Sequence, residues 1–365
     1  MAPINKKIDL SIVLPCLDEE KAIETCLNQI LQTIHKHHLS AEIIIVDNGS
    51  KDGSVSIIQK IIRENASGKN QEIPIQLVKE SVLGYGSAYQ KGFSIAKGAY
   101  VFMADLDGTY DFSDIPRFLS ALKNGDELVV GNRFMQNKNL GSMPWHHKYI
   151  GNPFLSGVVR LFFGVKIKDI HCGVRAIKKE ALNKIHATAS GMEFASEMII
   201  KATKNGLSVT EIPVTYNERF GASKLNSLKD GWRHLRFILI YSPMVIFLIP
   251  GVVLFLMGII FTALFSAKDT LFLAAGSTII GYQLIYFTFF AKIYANTHLG
   301  EKNPLFEKLF KYITLERASL IGITIFLLGI IFVTKNPVLG LILLVVSVQT
   351  ISSAFMLSIL AIKEK

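Results

Sequence analysis

The chain has 365 residues, a net charge of +10 and an apolar half, so it exceeds a single average domain. Its basic residues form no aromatic-interleaved stripe, which argues against a nucleic-acid partner. Cys16, Cys26 and Cys172 show neither paired spacing nor a metal pattern with the nine histidines, so a reduced, cytosolic domain is expected. No apolar core precedes the first strand, and no signal peptide is expected. In chain order, Leu10–Leu14 reads as a strand ended by Pro15, and 19–38 as an amphipathic helix. Ile43-Ile44-Ile45-Val46 is a buried strand stopped by an Asn-Gly turn, and 55–62 a second helix. A strand over 75–78 and a helix over 84–97 lead to the strand 99–104. Such alternation implies a parallel sheet that binds ligands beyond its carboxyl ends. Further strands are expected at 127–131, 174–176 and 208–214, a helix at 193–205 and a loop over 136–148.

From Phe237 onward the apolar stretches 238–265, 270–291, 318–334 and 336–362 are each long enough to cross a bilayer, which needs roughly 20 residues. Four in a row argue against a buried helical bundle. Lys224, Lys229, Arg233, His234 and Arg236 cluster before the first, and Lys302, Lys308, Lys311 and Arg317 between the second and third. Positive-inside counting places the soluble part, the 292–317 segment and the C-terminus in the cytosol. Residues 224–237 present Leu225, Leu228, Trp232, Leu235 and Phe237 on one side, the pattern of a juxtamembrane helix, and 305–313 is similar.

Chemistry concentrates at acidic strand ends. Asp105 and Asp107 stand at i and i+2, so their carboxylates share a face and can hold one divalent cation, with diphosphate oxygens completing its shell. Gly108 lets backbone approach, and Thr109 can add a hydroxyl. Asp47 is placed to accept hydrogen bonds from a nucleobase or ribose. Glu19 serves the same moiety or merely favours a helix N-terminus. Gly84-Tyr85-Gly86-Ser87 lacks a phosphate-loop fingerprint and reads as a tight turn opening a helix. Glu193, Glu197, Asp169 and His171 are candidates for positioning a substrate, and Arg175 for pairing with Asp169 or Glu193. Acidic strand ends in series before a membrane half point to a nucleotide-sugar transferase at a membrane.

The ordered set Pro15-Cys16-Leu17-Asp18-Glu19-Glu20, Asp47-Asn48-Gly49-Ser50-Lys51-Asp52-Gly53, Gly84-Tyr85-Gly86-Ser87-Ala88 and Asp105-Leu106-Asp107 resembles the family-2 glycosyltransferases. Gly131-Asn132-Arg133, His171 to Ala176 and Arg219 to Leu225 narrow the resemblance to polyprenyl-phosphate and dolichyl-phosphate mannose and glucose synthases. It covers 8–240 and implies an α/β, GT-A type, Rossmann-like domain (1–223), the juxtamembrane helix 224–237 and a four-helix transmembrane region (238–365). It further implies an inverting, Mg²⁺- or Mn²⁺-dependent transfer from a nucleotide sugar to a lipid phosphate. Pro15, Leu17, Glu19, Val46, Asp47 and Leu106 would border the nucleotide, and Asp105, Asp107 and Thr109 the metal. Arg133, Arg219 and Lys224 would meet the donor diphosphate and acceptor phosphate. A polymer-extending synthase is the alternative, but Asp230-Gly231-Trp232-Arg233 does not match that class's Gln-x-x-Arg-Trp signature; a non-enzymatic flippase or scaffold conflicts with the intact acidic set. The sugar and a homo-oligomeric state stay open.

Overall fold

The computed structural model describes residues 8–67, 73–135, 143–221, 227–265, 267–298, 306, 308, 312 and 314–362. Two compact units divide the chain, Met1–Ile238 and Leu239–Lys365.

The first unit is built on a seven-stranded sheet in the order β3-β2-β1-β4-β6-β5-β7. Its strands are β1 (Leu10–Cys16), β2 (Ala41–Asp47), β3 (Ile75–Lys79), β4 (Tyr100–Met103), β5 (Leu128–Asn132), β6 (Arg175–Lys178) and β7 (Val209–Pro213). All seven residues of β2 are buried, which is why an Ile-Ile-Ile-Val run without alternation still makes a strand there. The helix α1 (Glu20–Lys36) turns Ala22, Ile23, Cys26, Leu27, Ile30 and Ile34 inward at helical spacing. Register then sets the site. Cys16 pairs with Asp47 across β1 and β2, and Val13 with Met103 across β1 and β4. Three chain ends, after Cys16, Asp47 and Met103, therefore leave the sheet on one edge.

The sheet is not wholly parallel. β6 runs antiparallel to both β4 and β5. The expected parallel sheet thus holds for β1 to β4, and for β5 with β7. Residues 169–174 sit at the carboxyl edge, where Asp169 and Val174 bond the end of β5, so the strand that follows must run back. Helices α2 (Ser54–Ser67), α3 (Tyr85–Ile95) and α7 (Phe194–Lys204) fall where helices are expected, and three more are described: α4 (Ile115–Lys123), α5 (Asn152–Phe163), which follows a π turn at His147–Gly151, and α6 (Lys179–Ile185). The loop expected over 136–148 is therefore helical near its end, while 136–142 lie outside the described residues.

The helix α8 (Ser227–Ile240) differs from the expected surface helix. His234 and Ile238 are buried, and Leu235 and Phe237 pack on the first unit's core, whereas Trp232 is 59% exposed. Positions 234, 235 and 238 fall on one face at helical spacing, so that face docks on its own domain.

Among the described residues of the second unit four helices are long and apolar enough to cross a membrane: Met244–Leu264, Lys268–Thr297, Leu315–Val333 and Pro337–Leu360. The first begins later than the expected 238, because helix α8 ends and Pro243 interrupts the ladder. Across the second and fourth, Tyr282 and Thr350 hydroxyls meet at 2.7 Å, and Gln349 Nε2 donates to Gln283 Oε1 at 3.0 Å. Such bonds join helices where hydrophobic attraction does not. The amphipathic stretch expected at 305–313 lies largely outside the described residues.

Candidate active site

The acidic pair sits just past β4, on the edge where Cys16 and Asp47 also end. Asp107 is buried, and both its oxygens are engaged. Oδ1 accepts from the Thr109 backbone N–H at 3.0 Å and from the Thr109 hydroxyl at 2.5 Å. Oδ2 meets Arg219 Nη1 at 3.0 Å. The Thr109 hydroxyl thus orients Asp107.

Asp105 is differently placed. Tyr89 donates to its Oδ1 at 3.4 Å, and a β-carbon on Gly173 would stand 2.4 Å from its Oδ2. Enclosure comes first and the Asp107 charge second in pushing its carboxyl up to about 7. Tyr85 bonds it and pulls the other way. Tyr110 fixes the far wall by accepting from Gly173 N at 2.8 Å. Two carboxyl groups crowded in a low-dielectric recess fit a hard divalent cation that takes its remaining ligands from a diphosphate. Among the described residues no group of three or more His, Cys, Asp or Glu stands ready to hold a metal by itself.

A second strip closes over this pair. Phe220 N donates to Asp107 O at 2.9 Å, Asn217 N to Thr109 O at 2.8 Å, and Tyr110 bridges to Tyr216. Gly108 has φ +83°, and a β-carbon there would lie 2.1 Å from the Phe220 ring. No other residue type suits that position. The strip carries Arg219, whose Nη2 also meets Glu19 Oε1 at 2.6 Å.

The remaining expected residues divide by environment. Asp47 is buried and accepts from Ser50 N at 3.0 Å; Pro15 is half-buried and Leu17 exposed beside it. The side chains of Val46 and Leu106 point into the core, so only their backbones border the site. Asp18 and Glu20 tie α1 to the 50–53 turn by accepting from Lys51 N and Gly53 N. Arg133 is buried and grips Asp169 through two bonds of 2.8 Å, with Tyr216 under its guanidinium. Its charge therefore ties the end of β5 to the 169–174 segment. Arg175 pairs with neither Asp169 nor Glu193: fully buried, it donates to the carbonyls of Cys172, Ala195 and Ile170. Glu197 binds Lys201 and the backbone of Thr188 and Ala189, a bracing role. His171 and His234 share the Ser196 hydroxyl; burial holds both below the usual imidazole range, His234 at about 4. Lys224 lies outside the described residues.

The turn at Gly84 gives its N–H to Asn48 Oδ1 at 2.7 Å, and Ser87 N goes to Ser190 O. These amides serve the fold, and the helix they open, α3 (Tyr85–Ile95), delivers Tyr85 and Tyr89 to Asp105. Sequence reasoning missed both tyrosines, Tyr110, Gly173 and Phe220, because only the fold brings them to the acidic pair. It also missed an exposed apolar face: Trp145, Phe154 and Leu161, on and before α5, are 67%, 57% and 79% exposed.

Residues 11–186 match the family described as Glycosyl transferase family 2, and 289–335 match the Glycosyltransferase family 2 C-terminal transmembrane region. A low-salt glycan biosynthesis hexosyltransferase of Haloferax volcanii is 31% identical over 334 residues, covering 88% of this chain and 78% of that protein. The polyprenol monophosphomannose synthase of Mycolicibacterium smegmatis is 28% identical, covering 59% and 80%. A dolichyl-phosphate hexose transferase of Haloferax volcanii is 27% identical, covering 61% and 89%. Among solved structures, glucosyl-3-phosphoglycerate synthase from Mycobacterium tuberculosis, with Mn²⁺, UDP-glucose and glycerol 3-phosphate, aligns at a TM-score of 0.47 and 19% identity, covering 64% of this chain and 79% of that one.

Proposed function

We infer that this chain, which belongs to glycosyl transferase family 2 and is a membrane glycosyltransferase, moves a hexose from a nucleotide sugar to a polyprenyl or dolichyl phosphate. The relatives named for polyprenol and dolichyl phosphate support the acceptor. The observation that carries the reading is the placement of Asp105, Asp107 and Arg219 together at the carboxyl edge of β1, β2 and β4. Anionic and cationic groups there face the two phosphates that the reaction brings together.

In this reading Asp47 and the Pro15–Leu17 turn hold the nucleoside, and Asp105 with Asp107 would hold Mg²⁺ or Mn²⁺ against the donor diphosphate. That cation would neutralise the leaving nucleoside diphosphate. An oxygen of the lipid phosphate attacks the anomeric carbon from the opposite face; the new carbon–oxygen bond forms as the bond to the diphosphate breaks, with inversion. The second ionisation of a phosphate lies near about 6, so the acceptor is already largely dianionic and needs no strong base. Arg219 offers a charge that can grip phosphate with two parallel bonds. Lys224, close in sequence, belongs to the same proposed acceptor grip. The exposed face carrying Trp145, Phe154 and Leu161 suits the headgroup level of a bilayer, from which a prenyl phosphate is drawn. The catalytic unit then faces the cytosol, with four spans following it.

Arg219→Ala and Lys224→Ala test the acceptor roles. Transfer to prenyl phosphate should fall about 10- to 100-fold, as expected for one charge-assisted bond, while donor binding and slow donor hydrolysis survive. Equal loss of transfer and hydrolysis would put these cations on the donor instead.

A further inference from the structure

Arg219 stands where a second cation would have to come. Its Nη1 is 3.0 Å from Asp107 Oδ2 and its Nη2 is 2.6 Å from Glu19 Oε1. The opposite oxygen of Asp107 is pinned by Thr109, so Oδ2 is the atom Asp107 can turn to a metal. A divalent ion on Oδ2 would meet the guanidinium within a few ångströms, and like charges at that range in a half-buried site repel strongly. The grip on Arg219 is also incomplete. Among the described residues its buried Nε has no hydrogen-bond partner, and the guanidinium is held by the two carboxylate oxygens.

The strip that bears Arg219 is anchored through backbone atoms. Phe220 N and Asn217 N bond the carbonyls of Asp107 and Thr109, and the Phe220 ring lies over Gly108. The backbone can therefore stay in place while the long arginine side chain swings. Glu19, on a different segment, remains as a partner after Asp107 is lost.

We propose that Arg219 is a displaceable resident cation. It neutralises Asp107 and Glu19 until a divalent metal takes Asp107, and Glu19 then retains the released guanidinium as the group that receives the acceptor phosphate. Glu19 is in this scheme a positioning residue for Arg219. The scheme rests on the metal and acceptor roles proposed above and adds an order to them: metal and donor bind first, and the lipid phosphate second. An acceptor that arrived early would find Arg219 still committed to Asp107.

The test is Mn²⁺ binding by purified full-length protein without nucleotide, followed by the paramagnetic resonance signal of free Mn²⁺. Arg219→Gln and Arg219→Ala should each bind Mn²⁺ about tenfold more tightly than wild type, within the usual range for coupling between two sites. Arg219→Lys, which keeps the charge, should not tighten it, and Asp107→Asn should bind poorly. In the same protein Glu19→Gln should raise the KM for prenyl phosphate by a larger factor than it weakens UDP or GDP binding, and an unchanged KM overturns its part in positioning Arg219. Wild type that binds Mn²⁺ in the presence of UDP or GDP, with Arg219→Gln no tighter than wild type, overturns the displacement alone. Absence of Mn²⁺ binding by wild type even with nucleotide overturns the metal assignment and the displacement together.

Discussion

Replacing Gly173 by alanine should disable the acidic site without unfolding the domain. The new β-carbon would start 2.4 Å from Asp105 Oδ2, and 3.2 Å from both its Cγ and the Tyr110 hydroxyl. Side-chain carbons do not come within 3.0 Å of such atoms, so the carboxylate must retreat by several tenths of an ångström. The displaced atom is the end of a side chain, and the stability cost is expected at about 1–3 kcal/mol, typical of mild overpacking. The effect on the reaction is larger, since a misplacement of about 1 Å can cost about 100-fold. Melting of purified protein, Mn²⁺ titration and transfer of labelled sugar separate the two effects. A variant that melts a few degrees lower yet loses 10- to 100-fold in Mn²⁺ affinity and transfer supports the geometry. Full Mn²⁺ affinity and transfer in Gly173→Ala would refute the placement of Asp105 in the site.

Asp105→Asn and Asp107→Asn should each lower cation-dependent transfer by about 100-fold or more, as loss of several kcal/mol of charge stabilisation requires, with melting unchanged or raised; substantial turnover of either variant in EDTA contradicts it. Because burial and Asp107 push the Asp105 carboxyl up to about 7, it holds a proton in the folded protein that it would lose unfolded between pH 4 and 7. Its share of metal-free stability is therefore full below pH 4 and lost as pH rises through 7. Mn²⁺ affinity should climb up to tenfold per pH unit below 7 and level off above it, and a flat profile from pH 5.5 to 8 would exclude Asp105 as a ligand. Phe154→Ser and Leu161→Ser should raise the KM for a long prenyl phosphate in vesicles about tenfold or more, since each side chain is worth about 1.5–3 kcal/mol when buried. Neither should change the KM for a short, water-soluble acceptor, and equal effects on both would remove the bilayer role of this face.

The elements read best from sequence are those whose burial is symmetrical or cleanly one-sided. Ile43 to Val46 could only be a central strand, and α1 shows its inward stripe plainly. Orientation was less visible, because a strand as short as the four residues of β6 carries no sign of direction, and what reverses it is the path of residues 169–174. Helices α4 and α5 carry Pro116 and Pro153 in their first turns, where the missing N–H costs nothing, so a proline there marks a helix start and not a break. In α5 the outward face is apolar as well, so the usual polar side that marks a surface helix is missing. Within the site, Asp105, Asp107 and Asp47 could be named from their strand ends alone. The partners that define what they do could not. Arg219 and Glu19 are 200 residues apart in the chain, and Arg133 and Asp169 are 36 apart. Of the tyrosines beside Asp105, Tyr85 stands between the two glycines of the Gly84–Ser87 turn and Tyr89 lies one helical turn further along α3, and neither position carries a local sign that it faces an acidic strand end.

The central claim is that sugar leaves a nucleotide and arrives on a lipid phosphate under a divalent cation. Purified full-length protein should be given a panel of UDP- and GDP-hexoses labelled in the sugar, a prenyl phosphate, and either Mn²⁺, Mg²⁺ or EDTA, and the label followed by solvent partitioning. One donor is expected to move its label into the organic phase, only when both prenyl phosphate and the cation are present. Label that stays in water-soluble or polymeric product, or that reaches the lipid undiminished in EDTA, would contradict the account.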